Sequence, residues 1–388
     1  MISLDIVAEG RTIAIYGTGL LAAKCAYDLE KQGIEIGFFL NSKCKIKEFC
    51  NHKVYDPEDR NLKDVFVLVA VSEQYYKEIA EYLSAKGIVE FKDYIYHKWI
   101  NKKLVLLHGN CHMQVIQQYL LSSDAFQDEY IIYPNPLICC NENGRIEEAV
   151  LANCDVWIHE DIQKDNQFGY HLSDEYMRAY ISETTKEIVI PHLFGLGRAF
   201  FPQNCWNPNN MPLQNGEEKN GLFPRGDSVL EQGVKEKKSV QEIIEYASSD
   251  YALEKEYIIS NFRLYMNKIQ EREKDWDIKI FEFIVSHYKK EKLFYDSGHP
   301  TNVIMKKISS EIIAGLGIKG GEIYAEKTMD FYEEPVYPIV KKVLGLEWED
   351  KYIRTQANAG KLVENMDLEE YIREYLWYCH GMSDVRMS

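Results

Sequence analysis

A cysteine, a histidine and an aspartate stand where they could carry nucleophilic chemistry. Cys111 follows Lys103-Leu104-Val105-Leu106-Leu107-His108-Gly109-Asn110 and precedes His112-Met113-Gln114-Val115-Ile116. An apolar run closed by Gly-Asn reads as a buried parallel strand, and Met113, Ile116 and Leu120 then recur at helical spacing. Cys111 therefore falls at a strand-to-helix elbow. The free N–H groups and positive end of the helix favour an anion there. A thiolate so placed is a nucleophile, and the same N–H groups face any oxyanion formed by attack on an acyl carbon. A partner lies far downstream, in Asp296-Ser297-Gly298-His299-Pro300. Across the short Ser-Gly turn, Asp296 could hold one imidazole nitrogen of His299 and leave the other for the nucleophile. Each residue also has a plainer reading: a buried structural cysteine, a helix-cap histidine and a turn-forming aspartate.

Two other chemical readings are set aside. His108, Cys111 and His112 straddle a turn, and no second Cys/His pair is spaced to complete a tetrahedral zinc site, so no metal is expected. Gly226-Asp227-Ser228-Val229-Leu230 spells a GDSL-type sequence but has no buried strand before it to make an elbow. Ser228 more simply begins a helix.

Gly-Asn-Cys at an early elbow with Asp-x-x-His before a late helix resembles the SGNH (GDSL-like) hydrolases, with cysteine in place of serine. His108-Gly109-Asn110-Cys111-His112 together with Gly298-His299-Pro300-Thr301 resembles more closely the WcbI-like family of polysaccharide acetyltransferases, associated with capsule biosynthesis and coenzyme A. The resemblance runs from about Leu104 to Gly317. It implies a nucleophile at Cys111, a base at His299 and an orienting carboxylate at Asp296; Gly109, Asn110 and His112 at the elbow are candidates for holding the oxyanion or substrate. It implies no permanently bound cofactor, with acetyl coenzyme A as co-substrate and a sugar, nucleotide sugar or polysaccharide as acceptor. The stretch Cys154 to Asp161 lacks the Gly-x-Asn-Asp of SGNH enzymes, a departure that speaks against ordinary ester hydrolysis. A thioesterase or esterase, and a non-catalytic coenzyme A or nucleotide-sugar binding protein, remain the alternatives.

The elements that must position these residues are legible as alternating strands and helices. Thr12-Ile13-Ala14-Ile15-Tyr16 empties into Gly17-Thr18-Gly19-Leu20-Leu21-Ala22, and a second strand over residues 34–40 completes a βαβ unit. Gly17 and Gly19 would let a phosphate approach the helix. The second strand ends at Asn41, where a dinucleotide site would carry an acid, so a dehydrogenase is discounted. Val65 to Ser72, a helix to about Ala85, and Tyr94 to Tyr96 close a module over residues 1–100. This module resembles the Rossmann-like amino-terminal domain of enzymes that handle nucleotide sugars.

Residues 101–320 form the second domain, an SGNH-like parallel-sheet α/β domain. Its candidate strands are Leu104–Leu107, Tyr130–Tyr133, Asp155–Ile158 and Glu187–Ile190. The strand ends carry Pro134-Asn135, His159-Glu160 and Pro191-His192, and ligands bind open α/β sheets at such ends. His159 and His192 are accordingly substrate-binding candidates, with core or surface histidines as the plainer reading. From Leu193 to about Arg225 the chain reads as a long apolar loop that could line an acyl or pantetheine tunnel. Arg198 and Arg225 are candidates for coenzyme A phosphates, or else solvated surface charges. A helical insertion covers about 228–291, with a capping box at Ser239 and Glu242. Pro300 suits the first turn of the next helix, whose apolar face is Ile304, Ile308, Ile312 and Leu316. A helical carboxyl-terminal tail over 321–388 ends in a helix from about Asp367. Its stripe of Leu368, Tyr371, Ile372, Tyr375, Leu376 and Cys379 packs on its own protein or forms a homodimer.

Composition bounds the rest. The 388 residues suffice for two or three domains, and 45 basic against 61 acidic side chains give a net charge of −16, which disfavours binding to nucleic acid. Nine scattered cysteines without a Cys-x-x-Cys pair fit a reducing cytoplasm rather than a disulfide scaffold. No basic region precedes an apolar run at the amino terminus, and no segment approaches ~18 uninterrupted apolar residues, so a cytoplasmic protein without a membrane span is expected.

Overall fold

The computed structural model describes residues 8, 10–42, 46–133, 146, 148–206, 223–325, 332–350, 353–354 and 365–383. The expectations at Pro134-Asn135 and over 207–222 of the apolar loop lie outside them. In chain order the elements are β1 (Thr12–Tyr16), α1 (Leu20–Lys31), β2 (Ile36–Leu40), β3 (Glu48–Phe49), β4 (His52–Tyr55), β5 (Val65–Val69), α2 (Glu73–Ala85) and β6 (Tyr94–Tyr96). There follow β7 (Lys103–His108), α3 (His112–Leu121), α4 (Asp124–Glu129), β8 (Tyr130–Ile132), α5 (Glu148–Ala152), β9 (Val156–His159), α6 (Asp174–Tyr180) and β10 (Lys186–Val189). The remainder is β11 (Asn204–Cys205), β12 (Gly226–Asp227), α7 (Ser228–Lys235), α8 (Val240–Ala247), α9 (Lys255–Arg272), α10 (Phe281–His287), α11 (Asn302–Gly315), α12 (Pro338–Leu344) and α13 (Leu368–His380). The fold is α/β, built on parallel sheets. The chain divides into two compact units, Met1–Asn110 with Asp124–Glu187, and Cys111–Ser123 with Ile188–Ser388.

In the first unit a six-stranded sheet runs in the order β3-β4-β2-β1-β5-β6. The pairs β1–β2, β1–β5, β2–β4 and β5–β6 are parallel, and β3 returns antiparallel to β4. All five residues of β5 are buried, as a near-continuous apolar strand in a parallel sheet should be. Helix α1 lays Ala22, Ala26 and Leu29 into the core. Its entry turn requires glycine: Gly17 has φ +128°, and a Cβ there would stand 2.7 Å from the Ala70 carbonyl oxygen. A second sheet runs β10-β9-β7-β8, with β7 parallel to both β8 and β9. Leu104, Leu106 and Trp157 of this sheet share one core with Phe39 and Phe66 of the other. The β3–β4 hairpin had no signal in the sequence reading.

In the second unit α3 packs against α11, and α9 packs against α12 and the 3₁₀ turn Leu196–Ala199. The helical stretch 239–290 is three helices, α8 to α10, with Ser248-Ser249-Asp250 closing the first; the Ser239–Glu242 capping box is present. Pro300 lies before its helix. It bridges back to Phe294, and Thr301 caps α11, so the expected place in the first helical turn is corrected. Gly226-Asp227 does form a short strand, paired with Asn204-Cys205. Asp227 is buried there, caps α7 through Val229 and Leu230, and accepts a hydrogen bond from Tyr337. The apolar stripe of α13 packs within its own unit, where the Phe223 ring lies 5.3 Å from Tyr371 and 5.1 Å from Tyr375. Among the described residues no helix is long and apolar enough to cross a membrane.

Candidate active site

Strand β7 delivers Cys111 to the first position before α3, where its own backbone is already helical. In the second unit the Cys111 sulfur lies 3.9 Å from His299 Nε2. The other ring nitrogen, Nδ1, donates to Asp296 Oδ2 at 2.6 Å. Asp296 is fixed in turn, because its Oδ1 accepts the backbone N–H groups of Gly298 at 2.5 Å and His299 at 3.1 Å. The Ser-Gly turn thus folds back on the carboxylate that opens it. His112 is buried one residue beyond the sulfur and donates from Nε2 to the Gly298 carbonyl at 3.1 Å, tying α3 to that turn.

Electrostatics favour an ion pair at this place. Burial alone would lower His299, but the charge and hydrogen bond of Asp296, helped by Cys111, reverse this and carry it up to about 10. Burial would raise Asp296, yet the His299 charge and hydrogen bond, with Arg225 and Gly298, hold it below its usual value. Near neutral pH His299 is an imidazolium between a carboxylate and a sulfur. Such an array can stabilise a thiolate, give a proton to a leaving group and take one from an incoming hydroxyl.

A model of the WcbI family, described as a polysaccharide biosynthesis enzyme, matches residues 104–321, more than half of the chain. The chain belongs to this family. The match carries both the Cys111 elbow and the Asp296–His299 turn. A solved structure of WcbI, described as a novel polysaccharide biosynthesis enzyme, superimposes with a TM-score of 0.55 at 14% identity over 73% of this chain and 91% of that one. That structure is described as the native protein without a disulfide bond between coenzyme A and one of its cysteines. At this identity the likeness shows the fold alone. None of the curated proteins compared matches the chain.

The other candidate residues of this WcbI-family chain distribute unevenly. Arg225 stands beside the triad, with Nη2 3.9 Å from Asp296 Oδ1 and its guanidinium over the Phe194 ring. Arg198 is exposed on its 3₁₀ turn, where Asn261 holds its carbonyl oxygen. His192 is half-buried beyond β10. Within the first unit, the Asn110 N–H is directed at Glu160 Oε2, 3.4 Å away, rather than standing open at the elbow. His159 belongs to a buried network of that unit: it meets Asp174 at 3.3 Å and Glu187 at 2.9 Å and stacks on Trp157. These contacts fit the plainer, structural reading of that histidine. Gly17 and Gly19 line a cleft of about 650 Å³ at the carboxyl ends of β1, β2 and β5, with Asn41, Ser42 and Tyr75 among its other walls.

Three residues of the site carried no motif in the sequence. Gly197 is one; a Cβ there would collide with the Asp296 carbonyl oxygen. Lys292 is half-buried and donates to Glu333 at 2.7 Å, Asp350 at 2.8 Å and the Glu334 carbonyl at 3.2 Å. It anchors the start of the turn that holds Asp296 and His299. Glu334 is the third. A lysine with acids in the tail is a weak signal that spacing alone does not raise.

Proposed function

We propose that this protein is an acyltransferase that moves an acyl group, most simply acetyl, from acyl coenzyme A to a sugar hydroxyl in surface or capsular polysaccharide biosynthesis. The observation that carries this reading is the Cys111–His299–Asp296 array, with the sulfur 3.9 Å from Nε2. The Cys111 thiolate attacks the thioester carbonyl, forming a carbon–sulfur bond and an oxyanion. The oxyanion collapses, the bond to coenzyme A breaks, and the departing sulfur takes the proton from the His299 imidazolium. Neutral His299 then accepts the proton of the acceptor hydroxyl as its oxygen attacks the acyl-cysteine, and the Cys111 thiolate leaves. Asp296 keeps the imidazole aligned through both halves.

Membership of a polysaccharide biosynthesis family supports the acceptor class. The solved WcbI structure, whose description speaks of coenzyme A and a cysteine, supports the donor. The elbow and the Asp-x-x-His turn support an SGNH-like site, and the order β2-β1-β5-β6 with its glycine turn supports a Rossmann-like amino-terminal module. In that module the cleft at Gly17 and Gly19 is the place for a nucleotide sugar, while exposed Arg198 is free to meet a phosphate of coenzyme A. Such donors and six free cysteines among the described residues suit a reducing cytoplasm.

The test uses radiolabelled acetyl coenzyme A with sugar and nucleotide-sugar acceptors. Cys111→Ala abolishes transfer while leaving the fold intact, and intact-mass analysis of the wild type finds an acyl group on Cys111. Unchanged transfer by the alanine variant refutes the nucleophile. Release of free acetate without acylated sugar makes the protein a hydrolase.

A further inference from the structure

The flank of the triad, still within the second unit, holds a cation whose hydrogen bonds the protein leaves unmade. Arg225 stands against the Ser-Gly turn: a Cβ built on Gly298, the residue before His299, would lie 2.8 Å from its Nη2 and 3.0 Å from the Phe194 ring. Glycine at 298 keeps open the space that this guanidinium and this ring fill. Among the described residues the guanidinium forms no hydrogen bond. Its nearest acid is Asp296, 3.9 Å from Nη2, and its Nε is buried without a partner. A buried donor left unmet costs stability, the more so on a charged group.

Neutralising Asp296 does not account for this cation. That carboxylate already accepts three N–H groups, from the Gly298 and His299 backbones on Oδ1 at 2.5 and 3.1 Å and from the His299 ring on Oδ2 at 2.6 Å. Glu334, whose backbone N–H donates to the Tyr295 carbonyl at 2.9 Å, has its Oε1 on the Asn204 amide at 2.7 Å. The guanidinium is braced instead on the Phe194 ring, its carbon 5.4 Å from the centroid, a contact that fixes its plane and leaves its fork of donors free. The site is open there: the Arg225 side chain is 25% exposed and that of His299 20%, and Phe194 is 48% exposed. A planar fork with unspent donors fits a group with two anionic oxygens, a carboxylate or a phosphoryl group.

Reach decides which substrate brings that anion. The donor thioester must sit at the Cys111 sulfur, and a whole pantetheine arm separates it from the phosphates of coenzyme A. The acceptor must set a hydroxyl on His299 Nε2, and the other substituents of a sugar lie within one ring's breadth of that hydroxyl. We propose that Arg225, braced on Phe194, determines acceptor specificity by holding a carboxylate or phosphoryl group carried by the sugar beside the hydroxyl to be acylated. Acidic sugars and sugar phosphates are then the acceptors, and neutral sugars are poor ones. The proposal rests on the Cys111–His299–Asp296 reading.

The experiment alkylates Cys111 with iodoacetate, which carries a carboxylate, and with neutral iodoacetamide, in the wild type, Arg225→Gln and Arg225→Lys, with the modified residue identified by mass spectrometry. The ratio of the two rates cancels the reactivity of the sulfur and reads the hold on the anion. Loss of a charge-assisted hydrogen-bonded contact lowers that ratio about tenfold in Arg225→Gln. Arg225→Lys, which keeps the charge and loses the fork, falls between. A guanidinium that merely props Asp296 slows both reagents alike, and an unchanged ratio overturns the proposal. Protection of wild-type Cys111 from iodoacetamide then names the source of the anion. Glucuronic acid protects if it is a carboxylate and glucose 1-phosphate if it is a phosphoryl group, glucose does not, and Arg225→Gln loses the protection. Equal protection by glucose, or none by either acid, overturns the proposal. Protection by adenosine bisphosphate that Arg225→Gln abolishes, with none by the sugars, gives the guanidinium to coenzyme A and also overturns it. If the glutamine variant does not fold, the lysine ratio and the wild-type protection decide. A wild-type Cys111 that neither reagent alkylates overturns the nucleophile and this proposal together, whereas brisk alkylation with an unchanged ratio overturns Arg225 alone.

Discussion

Replacing Asp296 by asparagine exchanges one oxygen for an amide and removes one charge, yet it should disarm Cys111. The variant keeps an acceptor for the Gly298 and His299 backbone N–H groups, so the turn stays closed. What it loses is the charge that carries His299 up to about 10. Burial, the largest influence on that imidazole, is then opposed by Cys111 without the help of Asp296 and pulls it down. The ring then gives up its proton more readily. An imidazolium and a thiolate 3.9 Å apart attract by about 4 kcal/mol at an effective dielectric of about 20. Cys111 is half-buried, so water recovers part of this. Losing even a third of the attraction slows attack by the sulfur about tenfold. Iodoacetamide kinetics on Asp296→Asn should therefore show a rate at pH 7 reduced about tenfold or more, with circular dichroism unchanged. Alkylation at the wild-type rate with the wild-type pH profile would refute the reasoning.

Two further outcomes follow from buried charge. Lys292→Met strands Glu333 and Asp350 without their shared cation, and should lower stability by about 3–5 kcal/mol in urea denaturation. Lys307→Ala, which breaks a surface pair with Glu311 on α11, should change it by no more than about 0.5 kcal/mol. Stability should also fall on acidification. Burial would raise Asp350, but Lys292 and Lys341 hold it below its usual 3.8, as His299 holds Asp296. The unfolded chain therefore takes up protons first, and the stability these two acids contribute is present above 3.8 and lost as pH falls through their folded values. Urea midpoints that do not move between pH 6 and pH 3 would contradict this.

Strands and elbow were legible because burial in a parallel sheet writes itself as short apolar runs. Thr12–Tyr16 and Tyr94–Tyr96 coincide with β1 and β6, and the run at Leu104 with β7. The Cys111, Asp296 and His299 assignment was legible because an elbow cysteine and an Asp-x-x-His turn each have a local signature, and the structure brings the three side chains together. Contacts made across long separations left no such trace. Nothing in spacing joins Arg225 to Asp296, so it read as a phosphate ligand; nothing joins Lys292 to Asp350 or Glu334 to Asn204. Pro300 misled because a fixed φ suits an extended bridge as well as a helical first turn. The β3–β4 hairpin was hidden because its strands are two and four residues long, too short for alternation to register.

The Lys292 anchor separates family likeness from structural self-sufficiency. The matched segment stops at residue 321, but the acids that neutralise this ammonium, Glu333 and Asp350, come afterwards, as does Glu334. A chain trimmed to the matched segment would retain every residue of the triad and leave the Lys292 ammonium beside it stripped of the acids that neutralise it. Such a fragment would carry the motif intact and hold it on ground that gives way.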